Sequence, residues 1–268
     1  MLVIIHPNEE TASIQAAKIV ADQVRRKPDS VLGLSTGNTP LATYTQLIRM
    51  YRDEGLDFSG VTTFNLDEYY GISREHRQSF FSQIHKNFLD HVNVTSDRAH
   101  IPDGTSTDLA KACSEYEDAI GEAGGINLQI LGIGRTGHIG FNEPTSSLAS
   151  RTRLKTLSDE TISDNSKISG DIPQVAITMG IGTILEAKQI LLLAFGAAKA
   201  KAVAKAIEGP ISSSCSASAL QMHRDVRFIL DEEAATELRH RSYYDRVVEQ
   251  TKKYAPEVLG ITLGITND

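Results

Sequence analysis

Apolar residues along this chain fall into short, nearly unbroken runs, separated by longer stretches where they recur every three or four positions. The runs are 2-LVIIH-6, 31-VLGLS-35, 61-VTTFNLD-67, 127-NLQILGIG-134, 174-QVAITM-179, 189-QILLLAF-195 and 226-VRFIL-230. Several are almost wholly Val, Ile and Leu, as expected of strands covered on both faces. Helical spacing lies between them: Leu41, Tyr44, Leu47, Ile48 and Tyr51 mark one helix, and segments around 108–121 and 233–240 mark others. Strand–helix alternation predicts right-handed crossovers and an α/β fold with a mainly parallel sheet flanked by helices on both faces. No repeat, low-complexity tract or linker divides residues 1–268, which read as one domain. Residues 145–173, rich in Ser, Thr, Asp and Arg, break the rhythm and read as an excursion from the core, a hairpin plus a flap.

Composition narrows the function classes. The 268 residues are 40% hydrophobic and 23% charged, a globular profile, and carry a formal net charge of −7. That charge argues against a sequence-independent grip on nucleic acid, although a few local cations suffice to hold one small anion. No window reaches the roughly 18 apolar residues needed to span a bilayer, and the N-terminus opens directly on a strand, so a cytoplasmic protein without a membrane anchor is expected. Cys113 and Cys215 stand in no metal-ligand spacing and suit a reducing compartment as ordinary thiols.

In open parallel sheets ligands settle beyond the carboxyl ends of the strands. After VLGL comes 35-STGNTP-40, where Gly37 allows a sharp turn, Thr39 fits an N-cap and Pro40 the first helical position. The free amides of such a terminus suit a phosphate, and ordinary capping explains the turn equally well. After VTTFNL come Asp67 and Glu68, where a carboxylate could serve as a base or simply cap the next turn. After LQIL comes 132-GIGRTGHIGFNEP-144, which matches G-x-G-x-x-G at Gly132, Gly134 and Gly137. A dinucleotide fingerprint must lead into a helix, and Gly140 and Pro144 forbid one here. The glycines instead make room for a ligand, with His138 and Glu143 aimed at it. After QILLLAF a helix begins with Lys199 and Lys201 in its first turn, against the macrodipole, and stops at Gly209 and Pro210. Lys199, nearest the strand, is the cation expected to meet a phosphate; Lys201 and Lys205 read as solvated. Together these ends describe proton transfer on a phosphorylated metabolite.

The segments 33-GLSTGNTPLATY-44, 64-FNLDEYYG-71, 137-GHIGFNEPTSSLASRTRLKT-156 and 178-TMGIGTILEA-187 resemble the glucosamine-6-phosphate deaminase family, from the first strand to about residue 240. The middle two are the specific ones: related sugar-phosphate lactonases share the fold and a Gly-His loop, but not FNEP followed by SRTR. The resemblance implies a modified Rossmann-like fold and a hydrolase of amino-sugar metabolism acting on a carbon–nitrogen bond. It would turn glucosamine 6-phosphate into fructose 6-phosphate and ammonia without cofactor or metal. It also implies roles. Asp67 matches the base that moves a proton from C2 to C1, His138 the group that opens the ring by moving a proton from O1 to O5, and Glu143 the carboxylate assisting it. Thr36, Gly37, Asn38, Thr39 and Lys199 match the phosphate site.

Two departures stand out. The acidic residue usual before the Gly-His pair is Thr136, which supplies a hydrogen bond but no anion, so a weaker base at His138 and slower or alkaline-shifted ring opening are expected. Lys167 replaces the usual phosphate-binding arginine and loses its bidentate fork. Regulated, hexameric members hold a second phosphate, that of N-acetylglucosamine 6-phosphate, on residues matching Ser146, Arg153 and Lys155; other members are monomeric and unregulated. All three residue types are present, and both arrangements stay open, with the short flap at 158–173 weighing against regulation. Two rival functions also stand: a 6-phosphogluconolactonase-like hydrolase, against which Asp67 counts, and a sugar-phosphate sensor of weak activity, which the Thr136 replacement keeps alive.

Overall fold

Alternation along the strands builds two hydrophobic layers on one sheet. The computed structural model describes residues 1–169 and 172–259, with the side chains of 167–169 left aside. Its main sheet joins β1 (Leu2–His6), β2 (Val31–Leu34), β3 (Thr62–Asn65), β5 (Ala99–His100), β6 (Leu128–Gly132), β9 (Gln189–Ala194) and β10 (Val226–Asp231). They run parallel in the order β1-β10-β9-β6-β2-β3-β5. In β9, Leu191 and Leu193 face one core while Ile190 and Leu192 face the other. The first core receives α1 (Glu9–Arg26), α2 (Leu41–Glu54), α3 (Phe80–Asn87) and α8 (Arg241–Tyr254). The second receives α4 (Leu109–Glu122), α6 (Ile181–Leu185) and α7 (Ala200–Glu208). This is the expected α/β sheet with helices on both faces.

The chain order reverses between β2 and β6: β3 and β5 lie to one side, and β9, β10 and β1 to the other. A crevice opens beyond the carboxyl ends of the strands at such a point.

The excursion has its own sheet. β4 (Asp67–Tyr69), β8 (Val175–Thr178) and β7 (Arg153–Thr156) pair antiparallel in that order, and α5 (Asp159–Ser169) follows β7. The run 61–67 therefore splits between the two sheets, and the run 174–179 joins the small one. A small aromatic core of Tyr69, Phe80 and Phe141 fastens this sheet to α3, with ring centroids 4.7–5.7 Å apart.

Two local expectations fail. Residues 233–240 form turns instead of a helix: the amides of Thr236 and Leu238 close three-residue turns on Glu233 and Ala235, while Asp231 accepts from the amide of Ala234 and Glu208 from those of Arg239 and His240. Thr39 is not the N-cap of α2. Pro40 holds that position without a side-chain bond, and Thr39 remains in the loop. The stop after α7 holds: the helix ends at Glu208, with Gly209 as its C-cap.

Candidate active site

Four strand ends and α5 enclose a cavity of about 520 Å³ at the reversal point. Its wall includes Thr36, Gly37, Asn38 and Thr39 after β2, Asp67 at the start of β4, His138 after β6 and Lys199 after β9. Gly37 has φ +90°, which keeps the β2 loop tight without backbone strain.

Asp67 reaches the cavity because strand alternation sends it and its neighbour to different sides. Glu68 turns away and accepts hydrogen bonds from the amides of Tyr69, Phe80 and Phe81, each at 2.8 Å, so it fixes the start of α3. The capping expected of an Asp here is done instead by its neighbour Glu68. Asp67 is 7% exposed. Burial, reinforced by the charge of Glu68 and only partly offset by the Phe141 amide, pushes its carboxyl up to about 8.

The loop after β6 is shaped around the imidazole. A Cβ on Gly134 would lie 2.2 Å from both Cε1 and Nε2 of His138, so the ring rests on bare backbone. No helix starts at Gly137, and the dinucleotide reading stays excluded. The Thr136 hydroxyl lies 2.9 Å from Nδ1 of His138. Glu143 Oε2 stands 3.4 Å from the same nitrogen, without hydrogen-bond alignment, and pairs with it as an ion only when the imidazole is protonated. Burial opposes the charge on Glu143. Its interactions with His138, the Thr161 hydroxyl and the Ser158 amide prevail and hold its carboxyl down at about 2. Neither Thr136 nor Glu143 lines the cavity; both lie behind the ring. Thr136 thus brings a hydroxyl, and Glu143 a carboxylate, to the same ring nitrogen.

The same loop is riveted from beneath. Ser216, 1% exposed, accepts from the Ile139 amide at 3.2 Å and donates to the Asn142 carbonyl at 2.8 Å. Asn142 donates to the carbonyls of Ile139 (2.9 Å) and Met179 (2.8 Å). Lys199 sits at the N-cap of α7, where burial lowers its ammonium pKa; nearby Asp164 opposes that shift and Arg135 adds to it.

The family model for glucosamine-6-phosphate isomerases/6-phosphogluconolactonase matches residues 8–228. The chain belongs to this family. It is similar to a glucosamine-6-phosphate deaminase of Clostridium botulinum, 49% identical over 241 residues, which cover 89% of this chain and 99% of the relative. A second from Shewanella loihica is 44% identical over 266 residues, 98% of this chain and 99% of its own length. Among solved structures, a monomeric glucosamine-6-phosphate deaminase shares 45% identity at a TM-score of 0.87, over 88% of this chain and 100% of its own. A 6-phosphogluconolactonase of Trypanosoma brucei, at 18% identity and TM-score 0.70 over 88% and 98% of the two chains, shares the fold alone.

For a member of the glucosamine-6-phosphate isomerase/6-phosphogluconolactonase family, some expected residues lie elsewhere. The side chain of Lys167 is outside the described residues. Ser146 is buried, with its hydroxyl unpartnered. Arg153 donates to Asn142 Oδ1 at 2.8 Å, and Lys155 lies two residues along β7; none of the three lines the cavity. The walls supplied by Tyr69, Phe80, Phe141 and Asn165, and the support from Ser216, were not singled out from sequence. Phe141 stands inside the opening motif itself, whereas Ser216 carries no local signal.

Proposed function

We propose that this protein converts glucosamine 6-phosphate into fructose 6-phosphate and ammonia. What carries the reading is the shared cavity of Asp67 and His138, with the β2 loop and Lys199 in the same wall. The phosphate is held by Thr36, Gly37, Asn38, Thr39 and Lys199, where loop amides and one ammonium meet an anion. Lys167, on α5, is the further cation we assign to it.

His138 opens the pyranose ring by carrying a proton from O1 to O5, with Thr136 and Glu143 fixing the imidazole from behind. Asp67 then removes the C2 proton to give an enolamine and returns it at C1, leaving an imine at C2. Water adds to that carbon and ammonia leaves, so the net change is hydrolysis of a carbon–nitrogen bond. A buried carboxyl with a raised pKa is a strong base once ionised. The substrate ammonium, arriving at C2, favours the carboxylate form of Asp67.

Incubation with glucosamine 6-phosphate, measuring ammonia and fructose 6-phosphate, tests this. Release should be lost on Asp67→Asn while sugar-phosphate binding persists. Binding without release by the unaltered protein would instead identify a sensor, and consumption of 6-phosphogluconolactone without ammonia release a lactonase.

For assembly and regulation we extend the monomeric state of the solved relative to this chain, in the reducing cytoplasm where both thiols stay free. Burial of Ser146 and engagement of Arg153 with Asn142 support an unregulated enzyme. Sedimentation and an activity titration with N-acetylglucosamine 6-phosphate check both points; activation by that sugar would assign Ser146, Arg153 and Lys155 to a second phosphate.

A further inference from the structure

We propose that Arg135 is a phosphate-selecting residue of this site, and that Asp164 on α5 occupies its guanidinium until the substrate phosphate takes it over. The proposal rests on the sugar-phosphate reading above. Arg135 follows β6 directly and lines the cavity together with Asn38, Thr39 and Lys199. Its side chain is 45% exposed, so it can move without disturbing the core. Its fork closes on Asp164 through Nε–Oδ2 and Nη2–Oδ1 contacts, both 2.6 Å, in the bidentate geometry that guanidinium also offers a phosphate. Lys199 feels both members of the pair electrostatically, and Arg135 also feels Glu160 from the first turn of α5, which sets two cations beside two carboxylates at this end of the cavity.

That arrangement has a definite consequence for an arriving dianion. Lys199 and Arg135 attract it and Asp164 repels it. The lower-energy arrangement gives the guanidinium to the phosphate and turns the Asp164 carboxylate toward solvent, where it is already 33% exposed. The pair is open to water, so its own contribution to folding is small and the exchange costs little. Arg135 therefore supplies a bidentate fork to a phosphate site whose α5 cation is a lysine. Asp164 sets a threshold: a ligand without a phosphate cannot displace it.

Calorimetric titration of inorganic phosphate, and of fructose 6-phosphate against fructose, tests the idea without requiring turnover. Arg135→Ala should weaken both phosphorylated ligands about tenfold, the worth of one partly screened charge-assisted contact. Arg135→Lys should fall between Ala and the native residue. Asp164→Asn should not weaken phosphate and should tighten it a few-fold. If Arg135→Ala and Asp164→Asn weaken binding in parallel, the pair merely anchors α5 and the proposal falls. It falls equally if Arg135→Ala leaves phosphate affinity unchanged. These readouts remain valid if the protein releases no ammonia, so failure of the proposed reaction is distinguishable from failure here.

Discussion

The loop that carries His138 and the helix α5 beside it are held by different kinds of bond. Residues 137–142 are tied down by buried groups: the Ser216 hydroxyl, the Asn142 amide, and the Ala217 amide donating to the Gly137 carbonyl at 2.9 Å. Among its described residues, α5 is held by Ile162 against the Tyr69–Phe80–Phe141 core, by the half-exposed Arg135–Asp164 pair and by the Asn165 amide donating to the Tyr69 hydroxyl at 2.9 Å. Buried hydrogen bonds are costly to break, because each orphaned group keeps its desolvation penalty, whereas exposed ion pairs exchange cheaply with solvent. The His138 end of the cavity is thus preorganised, and the α5 end can adjust.

Experiments can break this contrast, beginning with its rigid side. Gly134→Ala should lower kcat about 100-fold, since a methyl 2.2 Å from the imidazole must displace the ring, a misplacement of catalytic scale. Circular dichroism should show the fold retained, because the obstructing atoms belong to a side chain. The pH profile comes next. With Asp67 pushed up to about 8 in the free protein, kcat/KM should fall as pH drops below that value, toward about tenfold per unit. The acid limb of kcat should lie at lower pH, because the bound ammonium favours the carboxylate. Coincident limbs would remove Asp67 from the role of base.

Ser216→Ala should lower kcat about tenfold with KM little changed, and cost about 1–3 kcal/mol of unfolding free energy in a denaturant titration, for the buried Ile139 and Asn142 groups left unpaired. On the adjustable side, Asn165→Ala should give the smallest effect. Amide exchange in α5 should quicken about three- to tenfold, the worth of one partly buried hydrogen bond, while the 137–142 loop keeps its protection. Glu143 sharpens the contrast in acid. Its depressed pKa gives stability that is fully present above about 4.5 and lost as pH falls toward 2. Acid should therefore loosen the His138 end at a pH where Glu143→Gln no longer responds.

Much of the main sheet was legible because burial on both faces leaves a local trace: runs such as 189-QILLLAF-195 allow few other structures. That the loop 36–39, Asp67, His138 and Lys199 line one cavity was legible for a related reason, since each lies within six residues of a strand end. The small sheet was not, because β4 and β7 are three and four residues long and find their partners only through tertiary pairing with β8. The false helix at 233–240 shows the same limit. Its spacing is helical, but the segment closes in short turns and Glu208 takes the amides of Arg239 and His240, and no periodicity registers a distant carboxylate. Ser216 escaped notice because it lies 78 positions beyond His138, and its importance is a matter of three-dimensional proximity.

β4 is only three residues long, yet Asp67 and Glu68 stand back to back on it, one facing the substrate space and the other closing the amides of α3. A slip of a single position in its pairing with β8 would swap their surroundings. The cavity would lose its buried carboxyl and the helix its anchor in one event. The Asp67 carboxyl in the cavity and the seating of α3 are therefore inherited together, and selection acting on either one disciplines the register of both.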